Sequence, residues 1–87
     1  MLSLILYELT LPKVEYYRTF CNFDEKELEL FELRRKNIPL YKCAEIMDYD
    51  GIKKLSARVN KKVIEVTDSK KMNDWIENVY WKNVIGN

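Results

Sequence analysis

Residues 37–64, NIPLYKCAEIMDYDGIKKLSARVNKKVI, decide the fold of this chain. The spacing of their apolar side chains predicts a short helix over about 40–48 and a longer helix over about 52–64. Residues 49–51 (YDG) predict a turn between them, because Asp and Gly are typical turn residues. We expect Asp50 also to cap the second helix. A short helix, a tight turn and a second helix together predict a helix-turn-helix.

Each of these two helices has an apolar side that we expect to face the core. At roughly 100° per residue, apolar side chains recur along one side of each helix, and Ser56 joins that side of the second. The side chains of Tyr41, Lys42 and Glu45 are expected to face solvent, and Asn60 is expected near the core-facing edge. The positions expected in the core are Leu40, Cys43, Ala44, Ile46, Met47, Ile52, Leu55, Val59 and Val63.

The outward side of the second helix is basic, since residues 51–62 contain five basic side chains and no acidic one. A B-DNA major groove admits one α-helix between walls of phosphate, so such a helix needs cations at its edges and a short side chain at its centre. Ala57 suits close approach, and Arg58 is the best candidate to hydrogen-bond a guanine edge. The residues predicted to contact DNA are Tyr41, Lys42, Lys53, Lys54, Ala57, Arg58, Lys61 and, at the flank, Lys62.

Helix signals continue toward the N-terminus. Pro12 predicts the first turn of a helix, because its fixed φ suits that position. Asp24 and Glu27 have the spacing of a capping box and predict the start of the next helix. Asn37 is suited to end that helix, because Asn tolerates the left-handed conformation. We interpret the acidic run 24–32 as a solvated helix flank placed to complement the helix dipole, rather than as catalytic carboxylates. The apolar residues at helical spacing after Pro12 are Val14, Tyr17, Phe20 and Cys21.

Both ends of the chain are rich in apolar side chains. Asp68 or Ser69 is predicted to cap a last helix with an apolar stripe of Met72, Trp75, Ile76, Val79 and Tyr80. Residues 2–9 form a short apolar run that fits either a buried strand or a buried helix. These segments offer more apolar surface than three core helices can cover, so we predict a homodimer. The residues concerned are Leu2, Leu4, Ile5, Leu6, Trp75, Ile76, Val79 and Trp81.

Charge is distributed unevenly along the 87 residues. The net charge is −4 over residues 1–33, +6 over residues 34–64 and −1 over the remainder, which gives +1 for the whole chain. A basic middle third indicates a nucleic acid, a membrane surface or an acidic protein surface as partner. A solvated helix face is the alternative explanation of the basic run, and Tyr41 and Lys42 fit ordinary exposed positions equally well.

Several classes of function are excluded by the composition. The chain has two cysteines and no histidine, which makes a poor zinc site, and we expect both thiols to be buried in a reducing cytoplasm. No Gly-rich phosphate loop or nucleophile motif is present, so we predict neither an enzyme nor a cofactor. The N-terminal apolar run lacks a basic flank and the roughly 20 apolar residues of a membrane span, so we expect no membrane partner.

The sequence around the turn resembles a known family. Residues 29–33 (ELFEL) followed by residues 37–47 (NIPLYKCAEIM) resemble the helix-turn-helix of LuxR-type regulators and of region four of sigma factors. Ala44 stands at the small position between the two helices of that pattern. The match spans about residues 22–64. The stretch from Cys21 to Arg34 is also similar to small helix-turn-helix proteins of Gram-positive bacteria and their mobile elements. The positions that fit the recognition helix of the family are Ile52, Val59, Lys62 and Val63.

The sequence as a whole predicts an all-α chain of about five helices, with a single domain over residues 1–87 and a trihelical helix-turn-helix core over about 22–64. We expect a cytoplasmic DNA-binding transcriptional regulator, with double-stranded DNA as its partner. The resemblance further implies RNA polymerase or another regulator as a partner. The alternative is a protein-interaction adaptor that keeps the fold without binding DNA, because the step from Ala44 to Ile52 is shorter than in the family pattern.

Overall fold

The computed structural model describes residues 9–85, and within this range the chain is helical with no strand. The all-α prediction is therefore confirmed, and the helix count is five when the continuous C-terminal segment 69–85 is taken as one. The apolar run 2–9, which fits either a buried strand or a buried helix, lies almost entirely outside the described residues. The helices are α1 (Leu11–Phe20), α2 (Glu25–Arg35), α3 (Leu40–Met47), α4 (Ile52–Val66), α5 (Ser69–Trp75), a π-helical turn (Ile76–Tyr80) and α6 (Trp81–Ile85).

The boundaries of α1 and α2 follow the predicted signals. Pro12 lies in the first turn of α1. At the start of α2 the Asp24 carboxylate accepts from the Glu27 backbone N–H at 2.8 Å, and the Glu27 carboxylate accepts from the Asp24 N–H at 2.9 Å. These reciprocal bonds are the predicted capping box. Asn22 and Asn37, with φ of 53° and 62°, provide the left-handed residues before and after α2.

The core lies between α2, α3 and α4, and α1 packs over α4 and the C-terminal segment. The predicted inward side of α4 is confirmed, because Ile52, Leu55, Val59 and Val63 are all buried. Burial of apolar area of this kind is the main stabilising contribution to folding. The remaining buried apolar side chains are Val14, Tyr16, Tyr17, Cys21, Leu30, Phe31, Cys43, Met47 and Met72.

One position on α3 is exposed where the sequence predicts burial. Cys43 and Met47 are in the core, as expected, whereas Ile46 keeps 51% of its surface exposed. Ile46 lies roughly 100° around the helix from Met47, at the edge of the apolar arc. Among the described helices, α2 and α4 are the main ones that pack on this two-turn helix, and the edge of the arc stays in solvent.

The turn between α3 and α4 consists of four residues, 48–51. Asp48 is left-handed, with φ of 49°, and its backbone N–H bonds to carbonyls of α3. The prediction that Asp50 caps α4 is wrong, because the residue immediately before the helix is Gly51, which has no side chain to accept a bond. The ring of Tyr49 lies over Gly51, where a Cβ would stand 3.2 Å from Tyr49 Cε1. The turn therefore positions Tyr49 beside the start of α4.

The end of α4 is joined to α1 by two tyrosine hydroxyls. Tyr16 Oη donates to the Val66 carbonyl at 2.9 Å, and Tyr17 Oη lies 2.9 Å from Thr67 Oγ1. Asp68 caps α5 by accepting from the Lys71 N–H at 2.9 Å, as predicted.

The predicted stripe of the last helix is only partly covered. Met72 is buried, Trp75 is half-buried and Val79 is exposed. The π-helical turn changes the spacing from Ile76 onward, which places Val79 outside the covered side, whereas Trp75 lies before this turn.

Candidate nucleic-acid interface

The outward face of α4 presents its cations as the sequence predicts. Lys53, Lys54, Ala57 and Lys61 are all exposed, opposite the buried side of the helix. Among residues 9–85, none of these three lysines forms an ion pair with a carboxylate. We call these four residues the α4 face. Its free charges and its small central side chain have the character that a major groove requires.

Helix α3 carries two further exposed residues of the predicted DNA-contacting set. Tyr41 is 70% exposed, and Lys42 is exposed beside Glu45, with Nζ 3.5 Å from the carboxylate. An exposed ion pair of this kind contributes little to stability and exchanges readily for another anion. Tyr41 and Lys42 are therefore available to an external ligand.

Arg58 and Lys62 differ from the other cations of α4 because both contact Glu27 of α2. Lys62 Nζ lies 2.5 Å from one carboxylate oxygen of Glu27, and Arg58 Nε lies 3.3 Å from the other. Lys62 also donates to the backbone carbonyl of Asn22 at 3.0 Å. These two cations therefore connect α4 to the start of α2, where they share the single negative charge of Glu27.

Glu27 is the most buried charged residue of the described chain, with 2% of its surface exposed. The prediction that the whole acidic run is solvated is therefore wrong at this position. Burial alone raises the pKa of Glu27, but hydrogen bonds from Lys62, the Asp24 N–H and Arg58 outweigh it and leave the pKa below its ordinary value. Glu27 is thus ionised at neutral pH, as pairing with two cations requires.

Arg58 is bonded within the chain, whereas a side chain that only reads a base is expected to be free. Hydrogen bonds to Tyr49 and then to Glu27 raise its pKa, so the guanidinium is always charged. Half of the side chain remains exposed. Arg58 lies at the edge of α4 that faces α2, whereas Ala57 and Lys61 lie at the centre of the outward side. Neither Tyr49 nor Glu27 was predicted as a neighbour of Arg58.

The opposite edge of α4 also departs from the prediction. Asn60, expected near the core, is exposed, because α1 and α2 cover the helix along other sides. Ile64 is 54% exposed and follows Asn60 and Lys53 along the same edge. Ile64 does not share the spacing of the buried stripe, so its exposure could have been predicted from the sequence.

Two of the other basic residues of the middle third, Arg34 and Arg35, have structural contacts. Arg34 Nη1 donates to the Ile38 carbonyl at 2.8 Å, beyond the end of α2. Arg35 pairs with Glu32 at 2.5 Å, and Arg18 of α1 pairs with the same carboxylate at 2.5 Å. Burial raises the pKa of Glu32, but the hydrogen bonds and charges of these two arginines outweigh that effect. The pKa of Glu32 therefore lies below its ordinary value. The basic charge of the middle third is therefore concentrated for external contact on the α4 face.

Other kinds of site are not assembled in the described part of the chain. No group of three or more Cys, Asp or Glu residues within 9–85 is arranged to hold a metal ion. Cys21 and Cys43 are buried free thiols, and burial raises the pKa of Cys21 to about 12. Across the same residues, no helix has the length and apolar character needed to cross a bilayer.

Comparison of the sequence with protein-family models, with curated proteins and with solved structures gave no match.

Proposed function

We propose that this protein is a DNA-binding transcriptional regulator that inserts α4 into the major groove of double-stranded DNA. The observation that carries the proposal is the α4 face, on which three lysines without ion pairs among residues 9–85 surround Ala57. Helices α2 and α3 support α4 from the opposite side, through its buried stripe. The resemblance of residues 29–47 to LuxR-type and sigma region-four helix-turn-helix units points to the same function.

In this proposal each side chain has a defined role. Lys53, Lys54 and Lys61 contact phosphates, and Ala57 allows the helix to approach the base edges. Tyr41 and Lys42, at the start of α3, contact the phosphate backbone beside the groove. Lys62 holds α4 on α2 through Glu27.

Arg58 reads a guanine in this proposal with the part of its guanidinium that faces solvent. Its Nε bond to Glu27 orients the side chain before DNA binds. Preorganisation of this kind lowers the cost of ordering a long side chain on binding.

The main test is DNA binding by Lys54→Ala and Lys61→Ala. Each variant should bind random duplex DNA more weakly and should reduce the slope of log affinity against log salt by about one unit, as loss of one phosphate contact requires. Lys70→Ala and Lys82→Ala are matched controls, because both lysines are exposed on the C-terminal segment and form no ion pair there. An equal change of slope in the controls would show that binding reflects overall charge alone.

A second prediction separates base readout from phosphate contact. Arg58→Ala should cost roughly 1–3 kcal/mol on a selected preferred site and little on random DNA, because it removes a base contact. Affinities for the two DNAs, measured by fluorescence anisotropy, give the comparison. A uniform loss on both would make Arg58 a phosphate contact and would leave α4 without guanine readout.

A protein-interaction adaptor is the second candidate function. It is favoured by the pairing of Arg58 and Lys62 with Glu27 and by the exposed apolar side chains of Ile46 and Ile64 near the α4 face. Absence of DNA binding by the unmodified protein at low salt would favour this function. RNA polymerase or another regulator would then be the partner to test.

A further inference from the structure

A groove of about 580 Å³ lies at the end of α4 remote from the turn, between α1 and α5. Its walls are the rings of Tyr16, Phe20 and Trp75, and its rim carries the carboxylates of Glu65, Asp68 and Asp74 with a single cation, Lys71. We call this the acidic groove.

The aromatic walls are held in place by the fold. Tyr16 packs 4.8 Å from Phe20 and 5.8 Å from Trp75 between ring centres, and Phe20 lies 5.9 Å from Trp75. Tyr16 is buried and fixed by its bond to the Val66 carbonyl. Phe20 is 46% exposed and Trp75 is half-buried, so these two rings present surface to a ligand.

The electrostatics of the acidic groove favour a cation. Its three carboxylates form no ion pair with a side chain among residues 9–85. The C-terminal end of α4 opens into the groove through Val66 and Thr67, and the last turn of that helix has no basic side chain. The negative end of the α4 dipole adds to the charge of Glu65 and Asp74, whereas Asp68 offsets the positive end of α5 by accepting from the Lys71 N–H.

We propose that the acidic groove binds an arginine or lysine side chain from a basic segment of a partner protein. An aromatic face attracts a cation, and a guanidinium is flat enough to stack on a ring while its N–H groups bond to carboxylates. The excess of carboxylates opposes binding of a nucleic acid at the same place. This binding site goes beyond the proposed DNA contact of the α4 face and does not depend on it.

The acidic groove and the turn end of the α4 face lie at opposite ends of one helix. Twelve helical steps separate Lys53 from Glu65, which corresponds to about 18 Å along the axis. A ligand of about one side chain can therefore occupy the groove without covering Lys53 or Lys54.

The test is titration of a Trp81→Phe protein with a capped ten-residue peptide of arginine and alanine, followed by the fluorescence of Trp75. Trp81 is exposed and does not line the groove, so its removal leaves Trp75 as the single reporter. A peptide with citrulline in place of arginine keeps the shape and removes the charge. We expect the arginine peptide to change the fluorescence and the citrulline peptide to leave it unchanged.

The variant Glu65→Gln/Asp74→Asn should weaken binding about tenfold, as loss of two carboxylate partners predicts. Asp50→Asn/Glu77→Gln alters the net charge equally outside the groove and should stay within about twofold. Equal loss in both variants, equal binding of both peptides, or absence of binding at about 1 mM peptide would overturn the proposal. Self-association that weakens with salt and is lost in Glu65→Gln/Asp74→Asn would also overturn the proposal. It would show that a second copy of this chain occupies the groove. No DNA is present, so these outcomes are independent of the DNA-binding test.

Discussion

The carboxylate of Glu27 contacts three residues in two separate parts of the chain. It caps α2 by accepting from the Asp24 N–H, and it pairs with Lys62 and Arg58 on α4. A buried carboxylate that lost these partners would be strongly destabilising, because its charge would be uncompensated. The same residue therefore fixes the start of α2 and the orientation of α4.

We predict that Glu27→Gln lowers the free energy of unfolding by roughly 1–3 kcal/mol at pH 7, the range measured for hydrogen bonds to charged groups. The amide keeps an acceptor for Asp24 but removes the charge that Lys62 faces. Because the pKa of Glu27 is lower in the folded protein than its ordinary value, its contribution is complete above about pH 4.5 and is lost as the pH falls through the folded value. Urea unfolding at a series of pH values measures both effects.

Glu25→Gln is the matched control for this prediction, since Glu25 lies in the same helical turn but is exposed. Stability of the Glu27→Gln protein should depend less on pH below 5 than that of the unmodified protein. If the two proteins lose stability in parallel as the pH falls, Glu27 does not contribute through its charge.

At the scale of single elements, α3 offers the sharpest test of which side faces the core. Met47→Asp should cost several kcal/mol, because it places an unpaired charge between helices. Ile46→Asp, the neighbouring substitution on the exposed edge, should change stability by less than about 1 kcal/mol. Thermal melting followed by circular dichroism compares the two, and similar losses would contradict the described orientation of α3.

The elements differ in how far the sequence predicts them. Helix α4 follows from periodicity alone, since its apolar stripe is narrow and each member of that stripe is buried. The capping box of α2 is local and was equally predictable. The exposure of Ile46 and Asn60 was not, because it depends on which neighbouring helices cover each edge. The pairing of Arg58 with Glu27 joins residues 31 positions apart, a separation that no local pattern encodes.

At the scale of the whole molecule, free charge is separated along α4. Within residues 9–85, lysines without carboxylate partners lie on the α4 face, and carboxylates without side-chain cation partners line the acidic groove at the other end. The net charge of +1 conceals this arrangement. The molecule therefore presents separate regions for an anionic and a cationic partner.

We predict that the protein forms a homodimer through its C-terminal segment. Leu11, Val84 and Ile85 are each at least 58% exposed, and Leu11 and Val84 line the same surface depression. Burial of such side chains against a second copy is favourable, and two-fold dimers place two helices in successive major grooves. Light scattering should give twice the monomer mass, and Val84→Glu should restore the monomer. A monomer at high micromolar concentration would contradict the prediction and the expectation of a palindromic site.

The two buried thiols make spontaneous opening of this protein measurable. With a pKa of about 12, only about one Cys21 side chain in ten thousand is ionised near pH 8, and the residue is shielded from reagents. Alkylation of Cys21 must therefore proceed through conformations in which the end of α1 has separated from the core, and alkylation of Cys43 through release of α3. Equal labelling rates would mean that the helices open in one cooperative event, whereas faster labelling of Cys43 would mean that α3 detaches while α1 remains folded.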